Sequence, residues 1–400
     1  MPATYGLERF SGFDNNIGVA AVPTIGNPVQ VNLQQLLSTD MVDSFDFQFI
    51  FKGTTNGYTG TENLSPFFPY NFVQSLTVPY QSDALNIGAL DGALWHMVWV
   101  LRKGNTKYQT PTWLADQQPV LSDGYDPTAQ PSSGSYTIAT STAETYQFVL
   151  SIPTCLWFDR FYDLMTDSSG KSSPGVIDDV YVSPLLMSST GRNITPNLQL
   201  NPLSGTTVDQ SPFVHSGTNT TPLTWTDGGS TVTIKRRGWR QPGGGMPMPP
   251  IFPWAYNWTK TRVPIGSATV TFQFPNRGQL LCVVIRLFDP TLASGLGDVI
   301  PLANLQANGG GAVLSYGAGI TKFNDSGLDI TRRIYRQHGV ILPEGHIVWD
   351  MYIETRSNMP GEVINTYNTA GVQVSLNFGT NTPGAGSYMD VASEWLTVVR

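Results

Sequence analysis

Asp350 and Glu354 are the two residues whose types and spacing come closest to a catalytic pair. They stand four positions apart in a segment with strand-like alternation, so both carboxylates are expected on one face of a sheet. Glycoside hydrolysis uses two carboxyl groups in that way, one of them as the acid. The same residues also alternate with apolar residues at 347, 349, 351 and 353. The simpler interpretation, the solvated face of a half-buried strand, is therefore favoured.

No other segment of the sequence predicts catalysis or metal binding. The HExxH, CxxC, P-loop and GxSxG patterns do not occur. The glycine run 243–245 lacks the Lys-Ser/Thr and the helix that a phosphate site needs, and it is interpreted as a flexible loop. No two of the four histidines share a metal-ligand spacing; they are His96, His215, His338 and His346. We therefore predict no catalytic residue, no cofactor-binding residue and no metal site.

Two basic clusters could contact either nucleic acid or protein. The first runs from Lys235 to Arg240 and includes Trp239, and the second comprises Arg332, Arg333, Arg336 and His338. The chain as a whole has a net charge of −7, whereas a protein that grips nucleic acid needs a basic face. Arginine and tryptophan often anchor protein interfaces. Contacts between subunits or domains are therefore favoured, and specific nucleic-acid binding is not expected.

The composition predicts two all-β domains. A chain of 400 residues exceeds the usual size of one domain. Its 40 glycines and 29 prolines accompany 11% aromatic and only 13% charged residues, which is typical of short strands joined by many turns. The two cysteines, Cys155 and Cys282, are interpreted as buried free thiols of a protein made in a reducing cytoplasm. Neither a secretory signal nor a membrane-spanning run is expected.

Alternation with a period of two marks the predicted strands. It is clearest at 44–52, where phenylalanines occupy positions 45, 47, 49 and 51, and it returns at 146–152, 347–353 and 372–378. The nearly continuous apolar run 280–288 suits a strand that is covered on both faces. Helical periodicity is limited to 156–165, where Trp157, Phe161, Leu164 and Met165 share a face, and to shorter candidates at 298–306 and 329–337.

An internal repeat divides the chain. PFFPYNF at 66–72 and PIFPWAYNW at 250–258 resemble each other, and similar features flank them in the same order. The matched pairs are 45–52 with 232–237, 73–80 with 268–274, 93–101 with 280–288, and 146–152 with 347–353. We therefore predict an N-terminal arm at 1–27, a first barrel at 28–210, a connection at 211–230 and a second barrel at 231–400. The connection falls in a region rich in Ser, Thr, Gly and Asn.

Several segments together resemble the double jelly-roll major capsid proteins of tectivirus-like bacteriophages, which are tailless and have an internal membrane. Residues 137–153 look like a late strand of that family, 157–166 like the helix after it, and 178–200 like the extended return to the barrel. In the second half, the turn at 342–345 that leads into 346–354 is similar to the family's Pro-x-Gly turn, and 395–400 is similar to its closing strand. The arm at 1–27 departs from the family because it has no helical stripe.

The resemblance implies an all-β fold of two tandem eight-stranded jelly-roll barrels with a few short helices. It further implies a non-enzymatic shell protein of the virion that forms homotrimeric, pseudo-hexagonal capsomers and tiles an icosahedral capsid. Its partners would be copies of itself and other capsid proteins such as penton or minor proteins. An internal membrane is a further candidate partner.

Two alternatives share the composition. One is a carbohydrate-binding or glycan-cleaving β-sandwich protein that would use Trp225, Trp239 and Trp254 as sugar platforms and Asp350 and Glu354 as carboxylates. The other is a phage spike or minor capsid protein. Sugar binding on a glycan array would favour the first alternative, and self-association into trimers without fibres would argue against the second.

Overall fold

The computed structural model describes a subset of the residues of the chain. The described residues are 8–13, 20–21, 29–30, 40–56, 60–64, 71, 73–80, 85–94, 97, 120–121, 135–138, 144–155, 185–186, 197–201, 204–205, 213–215, 224–227, 231–240, 254–292, 298–305, 311–338, 342, 344–351 and 363–398.

Strands dominate both halves of the described chain. Those of the first half are β1 (Glu8–Phe13), β2 (Ala20–Ala21), β3 (Val29–Gln30), β4 (Asp40–Asn56), β5 (Gly60–Leu64), β6 (Val73–Tyr80), β7 (Leu85–Leu90), β8 (Val120–Leu121), β9 (Ser135–Ile138), β10 (Glu144–Cys155), β11 (Leu185–Leu186), β12 (Asn197–Leu200), β13 (Ser204–Gly205), β14 (Phe213–His215), β15 (Thr224–Asp227) and β16 (Thr231–Arg240).

Those of the second half are β17 (Trp254–Pro264), β18 (Thr269–Gln273), β19 (Gln279–Asp289), β20 (Asp298–Val299), β21 (Ala312–Tyr316), β22 (Ile320–Asp325), β23 (His346–Asp350), β24 (Ile364–Asn365), β25 (Gln373–Asn377) and β26 (Tyr388–Val398). A 3-10 helix at Leu302–Asn304 and helix α1 at Gly327–His338 accompany them.

The second half forms two antiparallel sheets. One has the order β17-β26-β19-β20, and both β23 and β24 also pair with β19. The other has the order β18-β25-β21-β22. In both sheets an early strand lies beside a late one, as in the Greek-key connections from which a jelly roll is built.

The first half forms three sheets, and the longest strand, β4, is central to the largest. That sheet has the order β1-β16-β4-β10-β8, with β2, β11 and β15 added at its sides. The others have the orders β3-β12-β6-β7 and β13-β14-β5-β9. Strand β4 pairs with β10 from Ser44 opposite Cys155 to Thr55 opposite Glu144. The alternating segments 44–52 and 146–152 are therefore neighbours in one sheet, as strands β4 and β10.

Strand β16 lies in the range predicted for the second barrel, and its pairing is with strands of the first half. It pairs with β4 from Asp40 opposite Arg240 to Ile50 opposite Thr231, and its other side pairs with β1. By hydrogen bonding it belongs to the first-half sheet, together with β1 from the predicted N-terminal arm. The predicted connection 211–230 also contributes β14 and β15, which pair with β5 and β4.

The core of the second half follows the sequence pattern in most places. Strand β19 is buried from Leu280 to Asp289, as the apolar run predicted. Strand β25 alternates, with Val374 and Leu376 fully buried and Gln373 exposed. Helix α1 confirms the prediction at 329–337, and its inner face buries Ile330 and Ile334.

Three local predictions were wrong or lie outside the described residues. Segment 298–306 was expected to be helical but forms strand β20 and the 3-10 helix. The run 93–101 was matched to the predicted strand 280–288, but its residues Ala93, Leu94 and Met97 are helical, because Asp91 begins a helical turn there by accepting the N–H of Leu94 at 2.9 Å. The helix expected at 156–165 lies outside the described residues.

Gly345 forms the turn that leads into β23, as the sequence resemblance implied, and it tolerates no side chain. Its φ is +76°, and an added Cβ would lie 2.8 Å from Val299 Cβ. We expect Gly345→Ala to lower the free energy of unfolding by about 2–4 kcal/mol, since backbone strain and overpacking add. Gly317→Ala is the matched control, because its φ of +60° leaves open space around the added methyl, and about 1 kcal/mol is expected. Equal losses of unfolding free energy for the two variants in urea would show that crowding against Val299 does not contribute.

Candidate functional site

A row of charged residues crosses three strands of the second-half sheet. Asp390 on β26 stands directly opposite Arg262 on β17 and Arg286 on β19. Residues opposed in this way share a face of the sheet, so the three side chains can meet. Arg262 donates to both carboxylate oxygens of Asp390, from Nε at 2.7 Å and from Nη2 at 2.9 Å. Arg286 Nη2 donates to the same carboxylate at 3.1 Å.

Asp91 of the first half completes the network. It follows β7, which packs against β17, and its carboxylate receives two hydrogen bonds from Arg286, at 3.2 Å from Nη1 and 2.5 Å from Nη2. Lys260 Nζ donates to Asp91 at 2.9 Å. The five residues are called the ion-pair network: Asp91, Lys260, Arg262, Arg286 and Asp390. It joins the two halves through side chains that lie more than a hundred positions apart.

The centre of the ion-pair network is buried. Arg286 is 2% exposed, Asp390 0% and Asp91 7%, whereas the side chain of Arg262 is 45% exposed and its guanidinium lies 3.9 Å from the ring centroid of Tyr388. Buried charges need partners, because their desolvation costs several kcal/mol per ion. The ion-pair network connects the two halves of the chain through hydrogen-bonded charges. Both of its carboxylates, Asp91 and Asp390, are hydrogen-bonded to cationic side chains and stay ionised near neutral pH.

The charges of the network hold both carboxyl groups ionised. Burial by itself would raise the pKa of Asp91, but the positive charges of Arg286 and Lys260 and the hydrogen bond from Leu94 N–H bring it well below its ordinary value. Burial likewise opposes ionisation of Asp390, and the hydrogen bonds from Arg262 with the charge of Arg286 lower the pKa of that carboxyl as well.

These lowered pKa values make stability depend on acid pH. A carboxyl whose pKa is lower in the folded state stabilises the fold above its unfolded pKa, and this contribution is lost as pH falls through the folded pKa. We expect the free energy of unfolding to decline from about pH 5 downward. Asp91→Asn should flatten that decline. Urea titrations of both proteins at several pH values test this, and equal slopes would contradict it.

The structure corrects the interpretation of Asp350. The strand that carries it, β23, is buried along all five residues, and Asp350 is 1% exposed, so it does not lie on a solvated face. His346 stands directly opposite Arg286 and so shares its face of the sheet. On that face Arg286 contacts Asp91 of the first half, and both His346 and Asp350 are 1% exposed. Glu354, the other candidate carboxylate, lies outside the described residues.

The basic cluster on α1 divides into two parts. Arg333 is held within the chain, because it donates to Asp325 at 2.6 Å and lies 4.6 Å from the ring centroid of Phe323. Arg332 and Arg336 are exposed. The cluster 235–240 lies on β16, between β1 and β4, where Lys235 is opposite Asp46 and Arg240 is opposite Asp40.

The structure describes some of the other residues discussed in the sequence analysis, and others lie outside it. Cys282 is a buried free thiol, as predicted, and His346 is buried with Nδ1 2.9 Å from the carbonyl oxygen of Glu344. Cys155, His215, Trp225, Trp239, Trp254 and His338 belong to described strands or to α1, but their side chains are not described. His96 and residues 243–245 lie outside the described residues. Among the described side chains, no three of the types that bind metals are grouped as a candidate site.

The described helices are too short or too polar to cross a lipid bilayer.

Sequence reasoning missed the ion-pair network, although one signal was present. Arg286 interrupts the apolar run 280–288, and a buried arginine requires a buried carboxylate nearby. The run alone predicts that such a partner exists. It could not identify Asp91 or Asp390, because both reach Arg286 through tertiary contacts.

The chain was compared with known protein families, curated proteins and solved structures. No family model matches the chain. No curated protein matches it either. Similar solved structures include the major capsid protein (MCP) of Sulfolobus turreted icosahedral virus, with 12% identity, a TM-score of 0.56 and coverage of 98% of this chain and 97% of that one.

Two further structures are similar to the chain over nearly its full length. The PBCV-1 virus capsid matches with 11% identity, a TM-score of 0.54 and coverage of 98% of this chain and 93% of that one. The Sputnik virophage matches with 12% identity, a TM-score of 0.51 and coverage of 98% and 85%. At such identities the likeness concerns the fold. The chain has the double jelly-roll fold, which confirms the predicted fold class.

Proposed function

We propose that this chain is a major capsid protein that trimerises into pseudo-hexagonal capsomers and tiles an icosahedral virion shell. The observation that carries the proposal is the fold, which follows a capsid protein of similar length over 98% of the chain. Two jelly rolls in each of three chains present six barrels around a ring, and such a ring can pack flat against its neighbours.

The ion-pair network supports this role. A shell tile must keep a fixed angle between its two barrels, because a change of that angle would alter every contact with neighbouring tiles. Interfaces between domains of one chain are often mobile unless they are large and apolar. Here Arg286 holds Asp91 across the two halves through two buried hydrogen bonds, and Lys260 adds a part-buried one. Such contacts suit a structural protein better than one that must open to admit a substrate.

The finer parts of the proposal concern organisation and partners. We propose the division into an arm, two barrels and a connection, with one change: β16 is assigned to the first-half sheet, with which it pairs. The partners are copies of the chain and other capsid proteins, and the proposed role involves no catalysis. The tectivirus-like assignment and contact with an internal membrane belong to the same proposal.

The mass of the purified protein in solution tests this function. Size-exclusion chromatography with light scattering should give a species of about three times the chain mass of 43.6 kDa, and concentrated samples should show tiles or shells by electron microscopy. A monomer at every concentration would contradict the proposal. Binding to a glycan array or hydrolysis of a glycan panel would instead favour the carbohydrate alternative.

A further inference from the structure

Helix α1 is fixed firmly on the second-half barrel. Its first residue, Gly327, lies so close to the 3-10 helix that an added Cβ would overlap the carbonyl of Leu302. Ser326 and Asp329 cap the helix reciprocally, because the Ser326 hydroxyl donates to the Asp329 carboxylate at 2.6 Å and Asp329 N–H donates to Ser326 Oγ at 3.3 Å. Helix α1 is therefore a rigid support for the residues on its outer face.

The inner face of the helix is anchored through one aspartate. Asp325 receives hydrogen bonds from Arg333 at 2.6 Å and from Trp349 Nε1 at 2.9 Å. Ile330 is fully buried and Ile334 is 2% exposed. These contacts determine which side of the helix faces away from the barrel.

The outer face exposes large apolar side chains. Leu328 is 59% exposed and Tyr335 is 57% exposed. They stand seven positions apart, so they lie on the same side of the helix at about 10 Å along its axis. Among the described residues, the large exposed apolar side chains number four, and two of them form this single stripe. Exposed apolar residues that are grouped indicate an interaction surface more strongly than isolated ones do.

The same face carries a net positive charge. Arg332 lies between Leu328 and Tyr335 along the helix axis, and Arg336 follows one turn after Arg332; both arginines are exposed, as is Asp329, the one acidic residue of the helix. We call Leu328, Arg332, Tyr335 and Arg336 the α1 outer face. Tyrosine and arginine are enriched among residues that dominate binding at protein interfaces. The chain that carries this face has a net charge of −7, so the rest of the chain is acidic on balance.

We propose that the α1 outer face is a contact surface for a second copy of this chain within the capsomer or between capsomers. Charge complementarity indicates that the binding partner is another copy of the chain, because a positively charged face is attracted to the acidic surface of a second acidic molecule. Leu328 and Tyr335 supply the apolar area, and the two arginines orient the acidic surface of the neighbour. The inference rests on the proposed self-assembly and adds to it the part of the chain that makes the contact.

The inference is tested by comparing self-association of the unchanged protein, a variant of the α1 outer face and a control variant. The variant Leu328→Glu/Tyr335→Glu places carboxylates where the acidic neighbour would dock, and we expect the midpoint concentration of assembly to rise at least about thirtyfold. Ile320→Glu is the matched control, since Ile320 is 55% exposed but lies at the far end of β22 from the helix. It should assemble like the unchanged protein. Light scattering over a dilution series measures all three proteins, and their thermal unfolding midpoints verify that they are folded.

A charge variant provides a second measurement. Arg332→Ala/Arg336→Ala should weaken assembly and reduce its dependence on salt, because the lost attraction is the one that salt screens. If the unchanged protein assembles and both double variants assemble equally well, the inference is wrong while the proposed function stands. A protein that remains monomeric overturns both. Binding of the unchanged protein, but not of the variants, to vesicles rich in phosphatidylserine would assign the face to a membrane and overturn the inference.

Discussion

Arg286→Met is expected to lower the free energy of unfolding by about 3–5 kcal/mol. The guanidinium of Arg286 donates hydrogen bonds to both Asp91 and Asp390. Methionine fills much of the same volume but leaves the two buried carboxylates with a net loss of positive charge between them. An incompletely compensated buried charge is more costly than a lost surface pair. Urea unfolding followed by tryptophan fluorescence measures the change.

The same substitution at an exposed position is the control. Arg332→Met removes a guanidinium from the exposed face of α1, and a change within about 0.5 kcal/mol is expected when both variants are measured in protein diluted below its assembly midpoint. A double-mutant cycle with Asp91→Asn isolates the contact between the two halves. Its coupling energy should exceed about 1 kcal/mol, because the groups share two hydrogen bonds. Additive effects of the two substitutions would show that Arg286 and Asp91 do not stabilise each other.

The strands that the sequence predicted well are those whose pattern is local. Positions 45–51 alternate, and the segment is part of the long strand β4; positions 372–378 alternate, and β25 buries Val374 and Leu376. Helix α1 was predicted from its 3.6-residue period for the same reason. Each of these patterns records which face of one element is buried, and that information lies within a few consecutive residues.

The wrong predictions of exposure concern strands whose polar face is covered by another part of the fold. Strand β23 carries Asp350, which with Glu354 suggested solvent on one side of the strand, yet on that side of the sheet Arg286 contacts Asp91 of the first half. Alternation reports the polarity of a face but not what covers it. Arg286 can be buried there because a carboxylate partner, Asp91, comes from a distant part of the chain.

The internal repeat also shows that a strand pattern in the sequence does not predict which sheet the strand joins. Segments 45–52 and 232–237 were matched as equivalent strands of different barrels, but Phe49 and Val232 are paired neighbours in one sheet. Both segments have the pattern of a half-buried strand, and nothing in that pattern specifies a partner. Strand pairing depends on the connections and on the twist of the whole sheet, so it is a tertiary property.

Trp349→Ala is the second substitution for which we expect a large effect. Trp349 is fully buried on β23, and its ring stacks on Phe323 with the centroids 5.7 Å apart. Truncation leaves a cavity and removes the stacked pair, so a loss of about 3–5 kcal/mol in the free energy of unfolding is expected. Urea unfolding monitored by far-ultraviolet circular dichroism measures it without relying on the tryptophan signal.

Trp349→Phe separates the polar contact from the packing. Phenylalanine retains much of the apolar volume but cannot donate to Asp325, which then keeps only the hydrogen bonds from Arg333. A loss of about 1–3 kcal/mol is expected, because a buried acceptor loses one of its donors. Since Asp325 also anchors α1 through Arg333, both variants should increase hydrogen exchange in the amides of 327–338. If Trp349→Ala unfolds like the unchanged protein, or leaves exchange in α1 unaltered, Trp349 does not hold the helix in place, and the rigid support required for the α1 outer face must come from Gly327 and the cap alone.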